Sequence, residues 1–222
     1  MKQDNLSSAS RRRFLRNCLA VPFAGVVGAC ALTVPGQAPP PSLYRLTPKS
    51  TFSEDLPTVN WQLVVEAPVA NAGLNTTRIS LRSTVTQLEY FARSSWIDRA
   101  PLMVQTLMIE SFENSDRIIS VGREAVGLRA DFILKTELRE FQADYYETNP
   151  PTVLVGINAK LVMMPFRRII GSKSFMHEVK ANKDDMADIV PAFDEALGKV
   201  LKRIVEWTLI NGEAADRKRT SS

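Results

Sequence analysis

FILKTELREFQADYYETNPPTVLVGINAKLVM, residues 132–163, is the stretch whose reading decides the fold. Phe132, Leu134, Thr136 and Leu138 keep a two-residue period, the spacing that sends alternate side chains to one face of a strand. Phe141, Ala143 and Tyr145 continue the period out of phase. A one-residue slip turns a strand's apolar set away from its core, so a bulge at Arg139–Glu140 is expected to restore the face. Glu147 to Thr152 reads as a turn, since its two prolines cannot donate to a ladder. Val153, Val155, Ile157, Ala159, Leu161 and Met163 then alternate over eleven residues. Arg168 to Lys180 reads as a third long strand of poor alternation. Three consecutive strands with short connections form an antiparallel meander.

Upstream of the meander the signals shorten. Strands are expected at Ser42–Leu46, Trp61–Glu66, Ile79–Arg82, Gln87–Arg93 and Arg117–Arg123. In the fourth of these, Leu88, Tyr90 and Ala92 should form the apolar face. Pro101 suits a first helical turn, and Val104, Leu107, Met108 and Phe112 recur at helical spacing, which places a helix at 100–114. Downstream, Met186, Ile189, Phe193, Leu197, Val200, Leu201 and Ile204 make one helical stripe. Asn182 or Asp184 is expected to cap it, and Asn211–Gly212 to stop it. Pro191 either kinks this helix or marks a true start near Val190. The body, residues 42–212, is thus a single α/β domain, with 213–222 (EAADRKRTSS) a disordered polar tail.

The N-terminal 29 residues read as an address. Arg11, Arg12, Arg13 and Arg16 precede a short apolar segment, Leu19–Ala29, in the layout of a cleaved secretory signal. SRRRFLR resembles a twin-arginine export signal, with Arg11 and Arg12 as its pair; an ordinary secretory signal with a basic start is the plainer alternative. Val27-Gly28-Ala29-Cys30 resembles a lipobox, in which cleavage before Cys30 leaves a thiol to carry diacylglycerol. Residues 30–41 then hold four prolines and form a stiff tether (ALTVPGQAPPP after the Cys), semi-extended at about 3.1 Å per residue. Ala31 leans towards sorting to the outer membrane rather than the inner, at the periplasmic face of the envelope.

Removing this address changes the charge balance. The chain carries 28 basic and 24 acidic residues, but residues 1–29 hold five of the former and one of the latter, leaving 23 of each. The basic character therefore belongs to the address, and nucleic acid is excluded as a partner. Only Cys18 and Cys30 exist, and Cys18 leaves with the signal, so the domain is held by its core without a disulfide.

Cys30 in its lipobox, SLYRLTP (42–48), WQLVVEAPVANAGLNTTRI (61–79), EYFARSSWIDRAP (89–101) and the terminal AFDEAL…IVEWTL helix together resemble the ABC-type transport auxiliary lipoproteins, over roughly residues 42–210. The resemblance implies a three-layer α/β domain with a mixed, largely antiparallel sheet packed by two main helices. It also implies a lipid-anchored place beside an ABC transporter whose periplasmic partner is an MCE-type protein, moving lipids or other hydrophobic molecules across the envelope. Homo-oligomerisation stays open. Cys30 is the residue whose role the resemblance carries over.

The chemistry inventory points away from catalysis and from any cofactor or metal. The one histidine, His177, lies on an expected strand and reads as a surface or edge residue. No G-x-S-x-G, H-E-x-x-H, phosphate-cradling glycine run or Cys/His metal spacing occurs. Asp184–Asp185 and Asp194–Glu195 read as helix-dipole complements. Asp98 and Arg99 read as an ion pair or a capping carboxylate. Trp61, Phe112 and the Met163–Met164 pair could line a cargo groove, with core filling the stronger reading. The alternatives to an auxiliary lipoprotein are a stand-alone envelope scaffold and, more remotely, an exported enzyme built on His177.

Overall fold

The computed structural model describes residues 40–124 and 129–221. In chain order its elements are β1 (Ser42–Tyr44), β2 (Val59–Val65), β3 (Val69–Ala70), β4 (Arg78–Thr84), β5 (Gln87–Trp96), α1 (Ala100–Glu113), β6 (Ile118–Gly122), β7 (Phe132–Asp144), β8 (Thr152–Met163), β9 (Arg168–Lys180) and α2 (Met186–Thr220). Together the strands make one nine-stranded sheet.

The meander forms the trunk. β7 pairs antiparallel with β8 from Phe132↔Met163 to Asp144↔Thr152, and β8 pairs antiparallel with β9 along its whole length. On its other side β7 takes three short parallel neighbours in succession: β2 at 132–134, β3 at 137–138 and β4 at 142–144. β6 extends the sheet beyond β2, while β5 and then β1 extend it beyond β4. The ladder register shifts between Leu138 and Glu140, where the bulge was expected. That shift brings Phe141 and Ala143 onto the face already buried by Phe132, Leu134 and Leu138. β9 alternates poorly because it is an edge strand, with Phe175 its one fully buried side chain.

Both helices share one hydrophobic core with the sheet, and they touch each other. Trp96 of β5, Phe141 of β7 and Phe193 of α2 form a triangle of rings with centroids 5.1–5.6 Å apart, a spacing at which aromatic pairs attract beyond their buried area. Trp61 of β2 meets Phe132 edge-on at 4.8 Å. The α/β class, the mixed and largely antiparallel sheet and the two main helices agree with the expectation from sequence.

Four local expectations are corrected. Asp185, neither Asn182 nor Asp184, caps α2, accepting from the Asp188 N–H at 3.0 Å. Pro191 then sits inside the helix on its exposed side, where the Ala187 carbonyl that loses its N–H partner can turn to water. Asn211–Gly212 does not stop the helix, and the expected disordered tail at 213–222 is helical through Thr220. Gly212 is there because a Cβ at that position would lie 2.5 Å from the Trp61 ring, so it serves as a packing notch. Beyond it, Arg217–Glu213 and Arg219–Asp216 pairs at helical spacing support the last turns. In β5 the expected apolar face is reversed. Leu88 is 39% exposed, whereas Phe91 packs towards the core beside Tyr145. Arg93 adopts a positive φ of 54°, and Ser94 and Trp96 are buried after it.

Candidate anchoring and docking surfaces

The residues read as an export and anchoring signal, Arg11, Arg12 and Cys30, lie outside the described residues. The first described element behind them is β1, paired parallel to β5 through Ser42↔Ser94 and Tyr44↔Trp96. Between β1 and β2 runs a strap, residues 45–58, which crosses both helices without regular structure. Its polar sequence gives no periodicity, yet it is fixed at several points. The Asp194 carboxylate on α2 accepts from the Thr47 N–H (2.6 Å) and the Thr47 hydroxyl (2.8 Å). The Lys49 N–H donates to Ser111 Oγ on α1 (2.9 Å), and Asn114 Nδ2 returns a bond to the Lys49 carbonyl (3.1 Å). Glu206 Oε1 accepts from both the Ser53 N–H (3.0 Å) and the Ser53 hydroxyl (2.8 Å). Leu46 and Leu56 are buried in the core at either end. A pull on β1 is therefore delivered to both helices.

Asp194 is the side chain that sequence reasoning misplaced. It lies in the third turn of α2, too far from the N-terminus to complement the dipole, and its carboxylate holds the strap. Asp184 likewise is no cap; it accepts a hydrogen bond from the Tyr145 hydroxyl. Burial, together with that bond and the neighbouring carboxylate charge, pushes the Tyr145 phenol well above its ordinary range. On the polar face of the sheet Arg82 and Asp144 pair side by side. Burial alone would raise the Asp144 carboxyl, but the Arg82 hydrogen bond, the Tyr146 N–H and the Arg82 charge outweigh it and hold the group below the usual carboxylate value.

The other candidates separate. His177 sits half-buried on edge strand β9 opposite Val155. Among the described residues no group of three His, Cys, Asp or Glu side chains is placed to hold a metal ion. Asp98 Oδ1 accepts the Arg99 N–H at 2.7 Å, and α1 has no side-chain cap. Trp61, Phe112 and Met163 fill the core at 0–6% exposure. Met164 alone of that set reaches a recess, of about 570 Å³, where it joins Pro165, Arg129, Asp131, Ile133 and Arg219 at the β8–β9 end. A narrower recess of about 230 Å³ lies between the strap and α1, lined by Leu46, Ile97, Met103 and Leu107. Among the described residues no helix is long and apolar enough to cross a membrane.

The described residues thus form an α/β domain strapped through its N-terminal segment, with modest recesses. Residues 44–205 match the ABC-type transport auxiliary lipoprotein component family, and the chain belongs to that family. The crystal structure of protein XCC0632 from Xanthomonas campestris is 30% identical, with a TM-score of 0.76, covering 79% of this chain and 99% of that one. A second crystal structure, of an uncharacterized protein 14% identical, shares the fold at a TM-score of 0.60, covering 75% of this chain and 97% of that one. An uncharacterized protein of Bradyrhizobium diazoefficiens is 29% identical over 188 residues, 84% of this chain, which spans half of that relative's length.

Proposed function

We propose that this protein is a non-catalytic lipoprotein, exported through Arg11 and Arg12 and anchored by acylated Cys30. It serves an ABC transport system whose periplasmic component is of the MCE type and whose cargo is lipid or another hydrophobic molecule. The observation that carries the reading is the family match over 44–205 behind a lipobox and a proline-rich tether. In this reading another subunit hydrolyses the nucleotide. The present chain supplies position: the tether sets its distance from the bilayer, and the strap passes that constraint to the two helices. Outer-membrane residence at the periplasmic face follows from Ala31 in the same reading.

Affinity capture from detergent-solubilised envelopes tests it. The account expects an ATPase, a permease and an MCE-type protein to be recovered together with the chain. Recovery of unrelated envelope-assembly proteins would instead favour a stand-alone scaffold. Turnover of a substrate lost on His177→Ala would contradict the non-catalytic assignment.

A further inference from the structure

The turn between β8 and β9 carries the most exposed large apolar side chain among the described residues, Phe166 at 83%. It stands at the apex of two paired strands of 12 and 13 residues. The turn is rooted by the Met164 N–H, which donates to the Asp131 carbonyl at 2.8 Å. Arg167, at a φ of 53°, turns the chain sharply, and Arg168 and Ile169 (56% exposed) follow. Neither arginine has a carboxylate partner among the described residues.

The basic end of α2 comes to the same place. Arg219 reaches Asp131 at 3.4 Å and lines the recess with Met164, Pro165 and Arg129. Arg217, Lys218 and Arg219 form the last helical turn. Arg219 is shared between Asp131 and Asp216, Arg217 pairs with Glu213, and Glu124 lines the same recess, which leaves Arg167 and Arg168 of the turn to present positive charge beside Phe166. An exposed aromatic ring beside two arginines without carboxylate partners matches the chemistry of an anionic bilayer surface, whose headgroup boundary takes apolar rings and whose phosphates take guanidinium groups.

We propose that the β8–β9 turn is a membrane-contacting tip, in which Phe166 inserts between anionic lipids while Arg167 and Arg168 bind their phosphates. The idea rests on the Cys30 anchor, which would bring the domain to a bilayer surface.

The test uses the lipid-anchored full-length mature protein in vesicles of phosphatidylglycerol and phosphatidylethanolamine with brominated acyl chains. Phe166→Trp reports the tip, and Val85→Trp, on the β4–β5 turn at the other end of the trunk and 64% exposed, is the control. Fluorescence of the parent protein is subtracted. The proposal expects strong bromine quenching of F166W and little of V85W, with F166W falling to the V85W level in neutral phosphatidylcholine or when Arg167→Glu and Arg168→Glu are added. Protein that floats with its vesicles but shows equal quenching at both sites overturns the tip, leaves the anchor standing and points to a protein occupant. Protein that neither floats nor is quenched overturns both.

Discussion

The strap and the hairpin tip are opposites. The strap, TPKSTFSEDLPT at 47–58, is polar and lacks regular structure, yet carboxylates and hydroxyls on both helices hold it. The tip, MMPFRR at 163–168, is largely apolar and ends a hairpin of 12- and 13-residue strands, yet its Phe166 is left in water. Polarity alone would have left the strap, exposed as most of it is, without its pins, and would have packed the tip away. Order and burial follow from what a backbone can be bonded to and what a ring can be packed against, and both depend on partners far away in sequence. Asp194 lies 147 residues from Thr47.

Truncation in the core that both regions flank sets the scale for the contrast. Phe193→Ala removes the central ring of the aromatic triangle and is expected to cost about 3–5 kcal/mol in urea unfolding. A much smaller loss would mean that the triangle is not the centre of the core. The strap comes next. Asp194→Ala leaves the Thr47 N–H and hydroxyl without their acceptor and should cost about 1–2 kcal/mol, with faster proteolytic cleavage between residues 47 and 58. An unchanged cleavage rate would reduce the strap to an ordinary loop.

Acid should touch the trunk more mildly. The Asp144 carboxyl titrates below the ordinary carboxylate range in the folded state, so its pairing with Arg82 stabilises the protein above that range. The contribution disappears as pH falls through the lowered value. Asp144→Asn should therefore lower stability at neutral pH by about 1 kcal/mol and flatten the fall below about pH 4. The smallest effect belongs to the tip: Phe166→Ala should leave the unfolding midpoint within about 0.5 kcal/mol of the parent, as at a surface site with no packing role. A loss comparable to that of Phe193→Ala would show Phe166 to be core, and the contrast would fail.

Legibility in the sequence followed the range of the interactions. The β7–β8–β9 trunk could be read because hairpin register is local and the apolar residues of β7 and β8 alternate in long runs; even the bulge at Leu138–Glu140 showed as a phase change. β9 kept its bounds despite poor alternation. The parallel pairings of β2, β3 and β4 to β7 could not be read, since each depends on a crossover and leaves no neighbouring partner in sequence. β5 misled because the backbone at Arg93 changes which residues face inward. Gly212 misled in the other direction: a glycine near a helix end looks like a stop, and only the Trp61 ring against it explains its presence. The pins at Asp194 and Glu206 left no local signal at all.

The central claim is that one modified cysteine determines where this domain works. Mass spectrometry of the native protein purified from its membrane tests it most directly. The account predicts a mature chain that begins at Cys30, with diacylglycerol on its sulfur. A chain that retains residues before Cys30, or begins there with an unmodified thiol, would contradict it.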